Sequence, residues 1–225
     1  MSSPYDSDPD EDSPEAVNAE FIEAARAGNV KNARFLHEER GADVECRDGL
    51  FGNSPLNLAA LYGRVDMVRF LTEEAGANVD SEDDGGRTST FAAAWNGHLE
   101  AARILVEERG ADANKVANDG WTPLHVSAYT NKLEVAKWLV TKRGADVYQT
   151  NNDGDTPLSI AIDRGSTAVV SFLQHWTLSV LPRRTVLASV NLARRQEPPP
   201  PPVAELLRHL AAAPDDIARV ILEFV

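Results

Sequence analysis

The chain has 225 residues, 43% of them hydrophobic but only 7% aromatic, and a net charge of -13, which is enough apolar content for one core or for a run of small repeated units. A single cysteine, Cys46, leaves no internal disulfide, and no apolar run approaches the roughly 20 residues needed to span a bilayer, so neither a disulfide framework nor a membrane partner is expected. The acidic body has no basic stripe and repels phosphate backbones, which argues against nucleic acid as a partner.

The N-terminal MSSPYDSDPDEDSPE has neither the basic nor the apolar part of a secretory leader. Residues 1–20 carry seven acids and no Lys or Arg, and residues 1–15 read as a disordered, solvating acidic tail. A cytoplasmic location follows, with the nucleus also open. From residue 16 onward the chain repeats itself. Ser54, Thr88, Thr122 and Thr156 share one column, and Leu36, Leu71, Leu105, Leu139 and Leu173 another. Phe35, Phe70, Ile104, Trp138 and Phe172 form a third, all large and apolar, and Trp138 therefore reads as core. The period is 34 except for a first step of 35, whose extra residue lies in RDGLFGNSP. Small pairs recur as Ala24-Ala25, Ala59-Ala60, Ala93-Ala94 and Ser127-Ala128, then Ala161-Ile162, and glycine recurs at Gly41, Gly76, Gly110 and Gly144. Five units follow: 16–50, 51–84, 85–118, 119–152 and 153–176.

Each unit has the same local logic. Ser54-Pro55, Thr122-Pro123 and Thr156-Pro157 are N-caps followed by proline at the first helical position, where its missing N–H costs nothing. A short helix follows, then a second with apolar residues at helical spacing, then a glycine cap and a turn-rich polar connection such as GADVYQTNNDG. Neither helix is long enough to stand alone in water, so stability must come from stacking unit on unit.

GWTPLHVSAYTNKLEVAKWLVTKRGADV in unit four, with GNSPLNLAALYGRVDMVRFL, AAAWNGHLEAARILVEERGAD and GDTPLSIAIDRG around it, resembles an ankyrin-repeat protein over residues 16–176. The resemblance implies an all-α solenoid of helix-turn-helix units with hairpin-like loops, acting as an intracellular scaffold for protein–protein interaction. It implies neither enzyme activity nor a cofactor. Unit three departs from the pattern, with Thr88-Ser-Thr-Phe91 where the others approach Thr-Pro-Leu-His. His125 stands in a column reading Ile22, Asn57, Phe91, His125, Ser159, and by resemblance it hydrogen-bonds within and between repeats. The five histidines and Cys46 show no metal-ligand spacing, Cys46 sits in an inter-repeat turn without a base beside it, and the aspartates of NDGD and EDDGG read as turn formers.

In a stack of like units a column of sequence becomes a stripe in space. By resemblance the two residues after the small pair, and the residue before the cap, face the concave side. Units two to four there present Leu61, Tyr62, Trp95, Trp121 and Tyr129, with Arg87 at the rim and Phe51 at a loop tip. Two readings stand: contacts for a partner protein of unknown identity, or filler between neighbouring inner helices. A monomer is expected. After unit five the repeat breaks; residues 177–202 form a linker with the polyproline run Pro198 to Pro202, and 203–225 give two short helices split at Pro214. These either cap the open end of the stack or recruit a second protein, since PDDIARVILEFV resembles the opening of an F-box and the tail resembles a SOCS box. The second alternative would make the chain a substrate-recruiting adaptor of a ubiquitin ligase.

Overall fold

The computed structural model describes residues 13–180. The readings placed on residues 1–12 and on 181–225, including the polyproline run and the two C-terminal helices, lie outside the described residues. The described chain is all-α, with no strand. By contact it divides inside its last helix, between Val169 and Val170.

The first unit folds as α1 (Pro14–Ala27) and α2 (Val30–Glu38). The hydroxyl of Ser13 accepts the Ala16 N–H at 3.2 Å, with Pro14 at the first helical position. The helix therefore begins inside the segment read as acidic tail, and Ser13-Pro14 is the same cap as Ser54-Pro55. It escaped the repeat register because α1 has 14 residues where the equivalent α3 (Pro55–Leu61) has 7. The second unit adds α4 (Val65–Glu73), the third α5 (Ser89–Asn96) and α6 (Leu99–Arg103), and α6 continues as a π-helical turn over Ile104–Glu108. The fourth unit is α7 (Pro123–Tyr129) and α8 (Leu133–Arg143), and the fifth opens with α9 (Pro157–Asp163). The last helix, α10 (Thr167–Val180), runs past residue 176 into the stretch read as linker.

The helices α1, α3, α5, α7 and α9 pack in succession as an inner layer, while α2, α4 and α6 follow one another outside them. The small pairs make this close approach possible: Ala25, Ala59, Ala60, Ala93, Ala94, Ala128 and Ala161 are all fully buried. The leucine column is core throughout, from Leu36 at 1% exposure to Leu71, Leu105 and Leu139 at 0%. The column beside it is not uniform. Phe70, Ile104 and Trp138 are buried, Trp138 as its column leads one to expect, but Phe35 is 50% exposed and Phe172 half-buried. That column packs toward the preceding unit: the Arg34 guanidinium lies 4.9 Å from the centre of the Phe70 ring, and Trp138 Nε1 donates to Glu107 at 2.9 Å. Phe35 belongs to the first unit, and no described residue precedes that unit to cover it.

Beyond residue 169 the remainder of α10 is a separate unit, in which the Phe172 and Trp176 rings meet at a tilt with centres 6.3 Å apart.

Candidate protein-binding face

Four of the five inner helices, α3, α5, α7 and α9, start from a hydroxyl cap that is itself buried. Ser54, Thr88, Thr122 and Thr156 accept the N–H three residues on, so the residue before each cap is held at the same place on the face. His125 completes this device. It is fully buried; its Nδ1 accepts the Thr122 N–H at 3.2 Å, and its Nε2 donates to the Asp155 carbonyl at 3.1 Å in the next unit. These partners fix the Nε2–H tautomer. Burial, partly opposed by the Asp155 and Gln149 carbonyls, holds its pKa below the ordinary histidine value. Asn57 does the same work in unit two: its Oδ1 takes the Ser54 hydroxyl proton while Nδ2 donates to the Arg87 carbonyl at 3.1 Å. The column is structural in both units.

Between units the chain makes two-limbed loops, each closed by one backbone bond: Asp48 N–H to Asn53 O at 2.9 Å, Asp83 to Arg87 at 3.0 Å, Ala117 to Trp121 at 2.9 Å and Asn151 to Asp155 at 2.9 Å. Neighbouring loops are tied in turn, with Asp84 N–H bonded to Phe51 O, Asn118 to Gly85 O and Asn152 to Asp119 O. The first loop holds the extra residue. There the Asp48 carboxylate accepts N–H groups from Phe51 (2.9 Å), Asn53 (3.1 Å) and Leu50 (3.3 Å) and the Asn53 amide at 3.0 Å. Burial alone would raise the Asp48 pKa, but these four donors outweigh it and hold the group below its usual range. The caged loop pushes Leu50 and Phe51 outward, at 76% and 67% exposure.

On this frame sits a connected set of rings. Trp95 and Tyr129 approach to 5.9 Å between ring centres, Trp121 meets Tyr129 edge-on at 5.5 Å, and Phe91 lies 6.5 Å from Trp95. Such spacings are the ordinary attractive range for aromatic pairs. Phe51, Leu61, Arg87 and Trp95 line a recess of about 190 Å³, together with Asn53, Asp83, Phe91 and Ala92. Of the residues expected on this face, Trp121 and Tyr129 join through ring contacts and are half-buried. Tyr62 stands apart: it is exposed, closes α3, and lines no part of the recess. Two residues of the recess, Phe91 and Asp83, were not singled out by the sequence. Phe91 occupies the bonding column of Asn57 and His125, and its departure from that pattern was the only mark of it in the sequence. Asp83 was hidden among turn formers. Arg164, which the register already places on the concave side, lies with its guanidinium 4.2 Å from the centre of the Tyr129 ring.

The Cys46 thiol is buried and is pushed up to about 12 by burial and by Asp43, so it stays a protonated thiol near neutrality. No group of three His, Cys, Asp or Glu among the described residues is placed to hold a metal ion.

A family model described as ankyrin repeats (3 copies) matches residues 21–117 and again 109–180. The chain belongs to the ankyrin-repeat family. The paired helices, the loops tied edge to edge and the bonding column of Asn57 and His125 are thus the chain's own version of an ankyrin stack, and ankyrin repeats are generally protein–protein interaction modules and typically not enzymes. No curated protein matches the chain. No helix among the described residues is long and apolar enough to cross a membrane.

Proposed function

We propose that this ankyrin chain binds a partner protein non-covalently through the face carrying Phe51, Leu61, Arg87, Trp95, Trp121 and Tyr129, with Tyr62 at its margin. The observation that supports it is the exposure of large apolar groups on one rigid frame. Phe51 is 67% and Trp95 37% exposed, beside a recess they share, whereas the same chain buries its leucine column completely. A cluster of rings with an arginine at its edge has the composition of an interface hot spot. Filler between inner helices would not leave Trp95 exposed, and the gaps between α3, α5 and α7 are already closed by alanines with no exposure.

The test is affinity capture with the full chain beside a Trp95→Ala/Tyr129→Ala variant, after circular dichroism shows both equally helical. Loss of a bound protein only from the variant is the expected result. An unchanged bound set would refute recognition by this face.

A further inference from the structure

We infer that the occupant of this face is an extended, arginine-bearing basic segment of the partner, with one apolar side chain in the recess and a guanidinium laid over Trp95. The inference rests on the binding reading above and gives it a chemistry. The recess sets the scale first. At about 190 Å³ it is smaller than the roughly 300–1,000 Å³ of small-molecule sites, and it accommodates a single side chain. Most of its walls, Phe51, Leu61, Phe91, Ala92 and Trp95, are apolar, with Asn53, Asp83 and Arg87 completing the lining.

Charge then selects the neighbours of that side chain. The residue before each cap reads Asn53, Arg87, Trp121, Asp155 along the face, and the column of Trp95 and Tyr129 continues to Asp163. The loop tips add Asp84, Asp119 and Asp153. Against these stand Arg87, which pairs with Asp119 at 3.6 Å, and Arg164, which is spent on the Tyr129 ring. Among the described residues no cation pairs with Asp153, Asp155 or Asp163. An acidic segment would meet these carboxylates with repulsion, and a neutral one would desolvate them without return; a cationic one compensates them.

The rings supply the last element, because this face already binds guanidinium groups within its own chain. Arg164 sits 4.2 Å from the centre of Tyr129, and Arg87 5.7 Å from the centre of Phe91. Trp95, the best ring for such contact, is 37% exposed and takes no arginine of its own among the described residues. Arginine fits better than lysine because its planar group stacks on an aromatic face while its remaining donors reach carboxylates beside the ring.

The test is selection of the full chain against a displayed library of random short peptides, repeated with the Trp95→Ala and the Asp155→Asn/Asp163→Asn variants. The expected result is enrichment of peptides carrying arginine next to an apolar residue. Their affinity should fall about tenfold or more on loss of Trp95, fall with the paired aspartate change, and weaken with added salt. Enriched peptides that are neutral or acidic yet depend on Trp95 would overturn the basic chemistry and leave the binding face standing. Basic peptides indifferent to Trp95 would reduce the effect to attraction by net charge and overturn both. Failure to enrich any peptide would overturn the inference as well, and a second copy of the chain as occupant would show itself as a concentration-dependent dimer sensitive to Trp95→Ala.

Discussion

His125 carries its bonds as a neutral ring: one nitrogen accepts from Thr122, the other donates across the unit boundary to Asp155. Truncation to alanine strands a buried N–H and a buried carbonyl, a loss of about 2 kcal/mol or more. His125→Asn should cost about 1 kcal/mol or less, because Asn57 already makes the same two-ended connection from the same column. Wild type and His125→Asn also separate by pH. The folded pKa of His125 lies below the unfolded value of about 6.5, so the unfolded chain takes up the proton first. The stability from the neutral ring is therefore complete above about pH 6.5 and is lost as pH falls toward the folded pKa. Urea titrations from pH 7.5 to 5 should show a falling midpoint in the wild type and a shallower fall in His125→Asn. The fall does not vanish, because His98 is also held low by burial.

Among the elements, α5 is the one whose sequence disagrees with its siblings. Where α3, α7 and α9 begin with Pro-Leu, α5 begins with Ser89-Thr90, both fully buried, with hydroxyls that find no hydrogen-bond partner among the described residues. Thr90→Val removes an orphaned hydroxyl at constant shape and should raise stability by about 1 kcal/mol. Ser89→Pro matches the first helical position of the other units and should add about 0.4–1 kcal/mol through the unfolded chain. Denaturation midpoints check both, and a fall in either would mean that α5 needs those hydroxyls. The same comparison of units shows why much of the fold was legible: the caps, the small pairs and the leucine column recur at one spacing, and each has a single physical use. What escaped was whatever changes between copies. The longer α1 hid its cap at Ser13, and Phe35 carried the residue type of its column without the preceding unit that buries Phe70 and Trp138. At the face, Leu61, Trp95 and Tyr129 could be placed by register alone. The stacking of Arg164 on Tyr129 and the recess beside Phe91 depend on side-chain directions that a column of letters does not contain.

Across the whole stack, the outer helices are sewn together by charge. Arg34 reaches Glu74, Arg69 reaches Glu108, Arg109 returns to Glu73, and Arg143 reaches Glu107 at 2.7 Å, each pair crossing a unit boundary. Exposed pairs of this kind contribute little one at a time. Here they share partners: Glu107 also accepts the Trp138 indole N–H at 2.9 Å, and Glu73 takes both Arg109 and Arg69. Three carboxyls of the series are held below the usual carboxylate range, Glu74 by its bond to Arg34, Glu107 by the Trp138 N–H and then by Arg103, and Glu108 by Arg69. A carboxyl depressed in the folded state contributes stability that is present above its unfolded pKa and disappears as pH falls through the folded one. Because each unit contacts only its neighbours, weakening these links loosens the coupling along the stack. A Glu74→Gln/Glu107→Gln/Glu108→Gln variant should therefore unfold at a slightly lower urea midpoint than wild type at pH 7, and lose less of that midpoint between pH 5 and 3. Added salt should narrow the difference at pH 7, since the pairs are partly exposed. If the variant instead keeps the full acid sensitivity of the wild type, the pairs are passengers on the stack, and its acid lability resides in the loop carboxylates typified by Asp48.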